Sequence, residues 1–266
     1  MIDLPHFKSL EKLIGFQHVE KRWHSHVKVI GVGGIGSWAL ESLVRSAVGE
    51  ISLIDLDDIC VSNTNRQIHT LSSTIGKSKV LTFKERIQDI SPMTKVHALE
   101  SFLTSENIKE FIKPGDIVLD AIDSLKVKCE LINHCLQYNI PLVTTGGAAG
   151  KLDPTLVRVA DLSQTFNDPL LLRLRKKLRR NYDFPKKKKV HLGITTVFSP
   201  EERRSDLSLT TQKEDHDDSL SENENFIPNC HYGLGTCVTV ISSFGILAAK
   251  EILNIIDQSI NLQNTP

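Results

Sequence analysis

A loop of closely spaced glycines is the first feature of the sequence that could support chemistry. Gly31, Gly33 and Gly36 fit the pattern G-x-G-x-x-G, and Gly34 lies between them. The loop follows a short apolar run and opens a segment of helical period. Glycines permit a tight turn and a close approach of the backbone to phosphate, and a helix N-terminus offers unpaired N–H groups. The pattern predicts a nucleotide-binding turn. The alternative is a turn that serves only helix–strand packing.

Acidic residues follow at the end of the next apolar run. Asp55 lies where dinucleotide-binding proteins place the carboxylate that holds a ribose, and Asp57 comes two residues later. We predict that both belong to the nucleotide site. The alternative for Asp55 is a cap at the end of a strand.

A second group of polar residues makes a nicotinamide site the weaker interpretation. Asparagine amides can orient a phosphate, and the planar fork of arginine suits phosphate oxygens. A carboxylate such as Asp123 can carry Mg²⁺, which usually bridges substrate phosphates. A site that expels pyrophosphate needs such cations because charge builds up on the leaving group. The pattern favours ATP and adenylyl transfer, with Arg66, Lys79 and Asp123 as catalytic candidates. The predicted nucleotide-binding residues of this group are Asn63, Asn65, Arg66, Lys79 and Asp123.

The elements that must position these residues follow from hydrophobic periodicity. Apolar runs at 27–30, 51–54, 116–119 and 141–144 alternate with segments of helical period at 35–47, 80–90 and 127–138. This rhythm predicts an α/β fold, Rossmann-like, with a mainly parallel sheet and helices on both faces. Ligands of such sheets bind at the carboxyl ends of the strands.

The predicted organisation has three parts within one large unit. Residues 1–26 form an N-terminal helical segment, 27–150 the ATP-binding region, and 151–266 a C-terminal extension of strands and a helix. The extension contains a basic segment at 173–189 with ten Lys and Arg residues. It either contacts the phosphates of a nucleic acid or is a solvated face. Residues 201–225 are acidic and aperiodic and predict a disordered loop. A closing helix is predicted at 234–256, too short in its apolar part to span a membrane.

Composition limits the classes of function. The net charge is zero, so only local clusters can attract a polyanion. Five cysteines without a Cys-x-x-Cys pair argue against a disulfide scaffold and a four-thiolate zinc site. The absence of a secretory signal and this cysteine usage predict a reducing, cytoplasmic location. We expect Cys60, Cys129 and Cys135 to be inert core thiols, and His24 and His26 to be surface histidines without a third metal ligand.

Several stretches of the chain resemble the ThiF/MoeB/HesA family of ATP-dependent activating enzymes. They are GVGGIGSWALESL, LIDLDDICVSNTNRQIH, TIGKSKV, VLDAIDS and PLVTTGGAAGKLDPT. The resemblance extends from about His6 to Ile256, apart from the acidic loop. Within the family, NTNRQIH and TTGGAAGKLDPT are most similar to the dehydratases that act on N6-threonylcarbamoyladenosine in tRNA.

The resemblance implies an activity, a cofactor set and roles for residues. Such an enzyme binds ATP and Mg²⁺, adenylates the threonine carboxylate of the modified tRNA base, and closes a ring with release of AMP. It implies that Gly33 and Gly36 approach the phosphates and Asp55 the ribose. It also implies that Asn63, Arg66 and Lys79 bind the triphosphate, that Asp123 holds the metal, and that the protein is a homodimer.

Three alternatives remain open. The first is an adenylyltransferase that activates the C-terminus of a ubiquitin-like or sulfur-carrier protein. The lack of cysteine from Ala160 to Pro228 argues against it, although Cys230 could serve a sulfur-transfer partner or be a structural thiol. The second is a nucleotide-sensing RNA-binding module, because His6 and Lys12 stand where the family usually has arginine. The third and most distant is a nicotinamide dehydrogenase.

Overall fold

Seven short strands form a single sheet in the computed structural model, which describes residues 4–185, 190–204 and 235–261. Their order across the sheet is β3-β2-β1-β4-β5-β7-β6. All neighbours are parallel except β6, which runs antiparallel to β7. The strands are β1 (His26–Ile30), β2 (Glu50–Ile54), β3 (Lys95–Leu99), β4 (Ile117–Asp120), β5 (Leu142–Thr145), β6 (Arg158–Asp161) and β7 (Thr195–Phe198).

The order of the strands reverses between β1 and β4. From β1 the chain proceeds outward to β2 and β3, and β4 then returns to the other side of β1. At such a switch point the loops that follow two adjacent strands leave in opposite directions, and a crevice opens at the carboxyl edge of the sheet. The glycine loop after β1 and the loop after β4 border this crevice.

Helices cover both faces of the sheet, as the sequence predicts. One face carries α3, α4 and α8, and the other carries α5, α6 and α7. The N-terminal segment forms α1 and α2, which pack on Ala47 through Phe7 and Val19. The helices are α1 (Lys8–Ile14), α2 (Phe16–Trp23), α3 (Gly34–Arg45), α4 (Lys79–Ile90), α5 (Ile108–Phe111), α6 (Leu125–Gln137), α7 (Pro169–Asn181) and α8 (Val238–Asn261).

Helix α8 is the one helix among the described residues that is long and apolar enough to cross a membrane by length and composition. It packs instead along α3 and against β4, β5 and β7. Phe244, Ala248 and Ile252 on its inner side are fully buried. This packing is that of a core helix, and its small inner residues allow α3 to approach closely.

The structure departs from the sequence prediction in four places. Strand β3 was not predicted, because only one side of KVHAL is apolar and the run is short. Tyr138, at the end of the predicted helical face at 127–138, is exposed. The closing helix begins and ends later than predicted. Residues 201–204, predicted as the start of the disordered loop, bond to the chain at 150–153; residues 205–225, and 186–189 of the basic segment, lie outside the described residues.

Candidate active site

The glycine loop joins β1 to α3 and is shaped by two close approaches. A Cβ on Gly36 would lie 1.8 Å from the carbonyl oxygen of Gly31, so a side chain there is excluded. Gly31 itself has φ +89° and lies against Ala121 in the loop that follows β4. Gly33 precedes α3, and a Cβ built on it would meet no atom within 4 Å. The turn therefore leaves open space at Gly33, at the N-terminus of α3, where an anion is favoured.

Asp55 closes one side of the loop. Its Oδ2 accepts a hydrogen bond from the N–H of Val32 at 2.7 Å, and its Oδ1 accepts one from the N–H of Asp57 at 2.9 Å. Burial raises the pKa of Asp55, while the charge of nearby Lys79 and the two N–H groups act in the opposite direction. The carboxylate thus fixes the turn after β1 to the end of β2, and the strand-end cap is part of its role.

Lys79 lies in the first turn of α4, and its side chain reaches the loop that contains Asp55 and Asp57. Its Nζ lies 2.7 Å from Oδ2 of Asp57, and its side chain is only 7% exposed, whereas that of Asp57 is 53% exposed. Asp57, which is predicted to bind the nucleotide, pairs with the Lys79 ammonium and holds it in position. Ser78 begins α4 by accepting a hydrogen bond from the N–H of Leu81, which sets where Lys79 emerges.

Arg66 approaches the loop from the opposite side. Its Cγ is 3.6 Å from where a Cβ on Gly34 would be, and its carbonyl accepts a hydrogen bond from the indole of Trp38. Its guanidinium donates from Nη1 to the carbonyl of Ser62 at 2.6 Å and to Oδ1 of Asn65 at 3.0 Å. The guanidinium is therefore held by its own segment, and the base of the side chain lies beside Gly34.

The two predicted asparagines have structural partners. The Oδ1 of Asn63 accepts the N–H of Cys60 at 3.0 Å and closes a 3-10 turn, and the residue is buried. The Nδ2 of Asn65 donates to the carbonyl and to Oγ1 of Thr236, both at 3.1 Å, which ties this segment to the residues before α8. Asn63 and Asn65 thus build the loop that carries Arg66.

Asp123 lies in the loop after β4 and is exposed. The sequence placed it at the end of that strand, but β4 ends three residues earlier, at Asp120. Asp120 is fully buried, and its Oδ2 lies 2.7 Å from Nζ of Lys128 and accepts the hydroxyl of Thr144 at 2.6 Å. Its Oδ1 accepts the N–H of Ile122 at 3.1 Å. This buried ion pair, which the sequence reasoning missed, fixes the path of the loop to Asp123.

A second missed residue is His69, two residues beyond the stretch NTNRQ. It is 2% exposed, its ring stacks edge-on against Phe83 of α4, and neither ring nitrogen has a hydrogen-bond partner within the described part of the chain. Burial, aided by the charges of Lys79 and Arg86, lowers the pKa of His69 to about 4. The imidazole is therefore neutral beside the cations. Its sequence signal is only that a histidine follows the arginine-bearing segment.

A cavity of about 440 Å³ lies beyond β5 on the same side of the sheet. Asp168 begins α7, and its Oδ2 accepts the N–H of Gly147, which follows β5. Half-exposed Phe166 and Leu172 supply an apolar wall, and Arg175 and Arg203 supply cations. The cavity thus combines an apolar wall with two cations and two acids, Asp168 and Glu202, and its volume is within the 300–1,000 Å³ of small-ligand sites.

The cysteines divide differently from the prediction. Cys129 and Cys135 are buried, and burial raises their pKa to about 11 and about 12. Cys60 was expected to be an inert core thiol, and that expectation is wrong. It is exposed, and the hydrogen bond from Ser62 lowers the pKa of its thiol. The cause is local: Cys60 precedes a 3-10 turn rather than ending a strand. Cys230 lies outside the described residues.

The family model for the ThiF family matches residues 8–266. The chain belongs to the ThiF family. The tRNA threonylcarbamoyladenosine dehydratase of Escherichia coli (strain K12) is 39% identical over 251 residues, which are 93% of this chain and 91% of that protein. The dehydratase of Bacillus subtilis (strain 168) is 43% identical over 199 residues, 74% and 76% of the two chains. The crystal structure of the E. coli dehydratase in complex with ATP matches with a TM-score of 0.84 at 36% identity and covers 97% of this chain and 96% of that one.

Proposed function

We propose that this ThiF family protein is an ATP-dependent dehydratase of N6-threonylcarbamoyladenosine in tRNA. The observation that carries the proposal is that two cations border the glycine turn: the charge of Lys79 acts on Asp55, which bonds to Val32 of the turn, and Cγ of Arg66 lies 3.6 Å from where a Cβ on Gly34 would be. A hydride-transfer site has no use for this second charge cluster, whereas a departing pyrophosphate is stabilised by it. The similarity over more than nine-tenths of the chain to the E. coli dehydratase supports the same substrate.

The chemistry begins with activation of a carboxylate. A carboxylate oxygen of the threonine moiety attacks the α-phosphorus of ATP, the bond to the β-phosphate breaks, and pyrophosphate leaves. A nucleophile of the same modified side chain then attacks the acyl carbon and loses its proton, and AMP leaves with the former carboxylate oxygen. The net change in the nucleoside is the loss of one water. Because the second step is intramolecular, positioning contributes on the order of 7–11 kcal/mol, and no enzyme nucleophile is required.

The side chains around the turn are assigned roles by position. The N–H groups at the start of α3 bind phosphate oxygens. Asp55 is assigned to the ribose, and its two oxygens also accept the N–H groups of Val32 and Asp57. Arg66 and Lys79 neutralise the triphosphate, and Asp57 preorients Lys79. Preorientation matters because a cation already aimed at the phosphates needs no reorganisation during reaction.

Asp123 fits a magnesium ion by the chemistry of its donor atoms. Mg²⁺ prefers oxygen ligands and is usually held by one or two carboxylates together with substrate phosphates. Asp123 is an exposed carboxylate in the loop that lies against Gly31 through Ala121. When bound, the ion would neutralise the charge of the leaving pyrophosphate. Asp120 and Lys128 hold the loop in place for that contact.

We further infer that the modified nucleoside enters beside β5. The cavity bordered by Phe166 and Leu172 offers an apolar wall for a base, and Arg175 and Arg203 offer cations for the carboxylate or the RNA phosphates. Helix α7 carries the outer part of the basic segment, and Arg173, Lys176 and Arg180 lie on its exposed side. This stripe suits tRNA phosphates.

The remaining features of the proposal concern assembly and location. Leu13 of α1 is 80% exposed, and a homodimer that covers α1 would bring His6 and Lys12 toward a neighbouring subunit. A sulfur-transfer partner near Cys230 is a further possibility that the proposal does not require. The four described cysteines are free thiols, which fits a cytoplasmic enzyme.

The deciding experiment is incubation with ATP, Mg²⁺ and threonylcarbamoylated tRNA, followed by mass analysis of the nucleosides. The expected result is a loss of one water from the modified nucleoside, with AMP and pyrophosphate formed. Asp123→Ala is expected to abolish AMP formation and leave the circular dichroism spectrum unchanged. Asp89→Ala, an exposed carboxylate on α4, is the matched control. Full turnover by the Asp123 variant would refute the magnesium role, and adenylation of a carrier protein without change in the tRNA would favour the alternative adenylyltransferase.

A further inference from the structure

The amino ends of β1, β2 and β3, opposite the glycine loop, carry a polar cluster of His26, Glu50 and His97. His26 and Glu50 are register partners, and His97 pairs with Ser52, two residues along β2 from Glu50. Because side chains alternate along a strand, all three point to the same face of the sheet. No further metal ligand lies near His24 and His26 along the chain, but the parallel register of the strands brings Glu50 and His97 beside His26.

The three side chains already stand close to the spacing of metal ligands. One ligand atom from each lies within 4.8 Å of the others. His97 Nε2 is 2.9 Å from Glu50 Oε1, and His26 Nδ1 is 3.9 Å from the same oxygen. A tetrahedral zinc ion with bonds of about 2.0–2.2 Å separates its ligand atoms by about 3.3–3.6 Å. Small side-chain rotations therefore suffice to bring the three atoms to one ion.

The hydrogen bonding of the cluster suits a metal. The Nε2 of His26 is bonded to the hydroxyl of Ser52 at 2.8 Å, which leaves Nδ1 toward Glu50. Metal-bound histidines usually have such a partner on the second nitrogen, because it fixes the ring.

Two lysines and an aspartate face the cluster, and their positions leave it accessible. The Nζ of Lys28 is held by Asp116 at 2.9 Å and by the carbonyl of Phe111 at 2.6 Å, so its charge is matched on the neighbouring elements. Lys95 lies 3.9 Å from Glu50 and its side chain is 75% exposed. That side chain can turn into solvent when an ion arrives.

We propose that His26, Glu50 and His97 bind a divalent transition-metal ion of the zinc class, with the fourth position open to water. Two imidazoles and one carboxylate favour zinc over magnesium, which prefers oxygen ligands alone. Since the ligands come from three adjacent strands, the ion ties the edge strand β3 to β2 and β1. The site lies at the amino edge of the sheet, away from the nucleotide site, and stands independently of the proposed dehydratase activity.

The test is zinc binding by the full chain, measured by competition with a chromogenic chelator, with Co²⁺ as a spectroscopic probe. We expect one tight zinc per chain and a Co²⁺ spectrum without thiolate charge-transfer bands. His97→Ala and Glu50→Gln are expected to weaken zinc binding by more than about 100-fold. Loss of a residue that only hydrogen-bonds to a metal ligand typically weakens binding by about 10–100-fold. His24→Ala, an exposed histidine just before β1, is the matched control and should bind as the wild type does.

Two further readouts separate the proposal from misfolding and from the catalytic site. Zinc should raise the melting temperature of the wild type but not of His97→Ala. Both His97→Ala and Glu50→Gln should keep the wild-type circular dichroism spectrum and the wild-type rate of ATP-dependent AMP formation. Zinc binding of wild-type strength in His97→Ala and Glu50→Gln, or a Co²⁺ spectrum dominated by thiolate ligation, would overturn the assignment.

Discussion

Removal of the ammonium of Lys128 should destabilise the protein strongly because it leaves the Asp120 carboxylate buried and unpaired. Both side chains have zero exposure, and their charged atoms are 2.7 Å apart. Breaking one side of such a pair costs about 3–5 kcal/mol. For a domain of this size each kcal/mol shifts the melting temperature by about 2–4 °C, so Lys128→Met is expected to melt about 6–20 °C lower.

The same reasoning makes the double variant more stable than the single one. In the double variant Asp120→Asn with Lys128→Met, neither of these two buried positions carries a charge. The amide oxygen at position 120 can still accept the N–H of Ile122, as the Asp120 carboxylate does. At least half of the lost stability should return. The assay is urea unfolding followed by circular dichroism, with Lys250→Met as the control. Lys250 forms an exposed pair with Glu251, which is worth no more than about 1 kcal/mol.

Two outcomes would contradict this account. A loss below about 1 kcal/mol in Lys128→Met would show that Asp120 is protonated or solvated rather than ion-paired. A double variant less stable than Lys128→Met would show that the unpaired carboxylate is not the cause of the loss, because neither variant contains the ion pair. Folded Lys128→Met should also form AMP more slowly, since Ile122 and the loop to Asp123 lose a fixed anchor.

Three further predictions address the turn, the basic helix and the buried histidine. Gly36→Ala should destabilise the fold by about 3 kcal/mol or more, because its methyl would meet the Gly31 oxygen at 1.8 Å. Gly33→Ala should fold normally and weaken ATP binding at least about tenfold, measured by calorimetry. An ATP affinity equal to that of the wild type would show that Gly33 is not part of the phosphate site. Charge reversal of the stripe on α7, at Arg173, Lys176 and Arg180, should weaken tRNA binding and lower its salt dependence by about one counterion per residue. Unchanged binding in a filter assay would show that the stripe is only a solvated face. The pKa of His69 is lowered from 6.5 to about 4 in the folded protein, so the unfolded chain binds one more proton than the folded chain between these pH values. The free energy of unfolding should therefore decrease by up to about 3 kcal/mol as pH falls from 6.5 to 4. His69→Gln should lose less stability over that range in urea unfolding.

The local parts of the nucleotide site could be predicted from the sequence. A glycine turn between a strand and a helix has a physical requirement that a few residues reveal, and Gly31, Gly33 and Gly36 meet it at the switch point of the sheet. The alternation of short apolar runs with segments of helical period likewise predicted a parallel sheet between helices, which the structure and the family match confirm. Strand β3 was not predicted, because an edge strand needs only one apolar side and its sequence therefore shows no continuous apolar run.

Roles that depend on a partner distant in sequence could not be predicted. Asp57 and Asp123 look alike as exposed acids after strands, yet Asp57 is 2.7 Å from Lys79 in the folded chain. Cys60 looked like a core thiol until the turn after it placed the residue at the surface. Asn65 bonds to Thr236, a partner 171 residues away, which its place in the sequence does not reveal.

The sequence by itself determined the class of fold and the glycine turn after β1, because both depend on neighbours a few positions apart. Only the tertiary structure decided which charges meet. The Asp120–Lys128 pair, the neutral His69 and the cluster of His26, Glu50 and His97 arise from strand register and from burial, which change the energy of a charge without changing the residue that carries it.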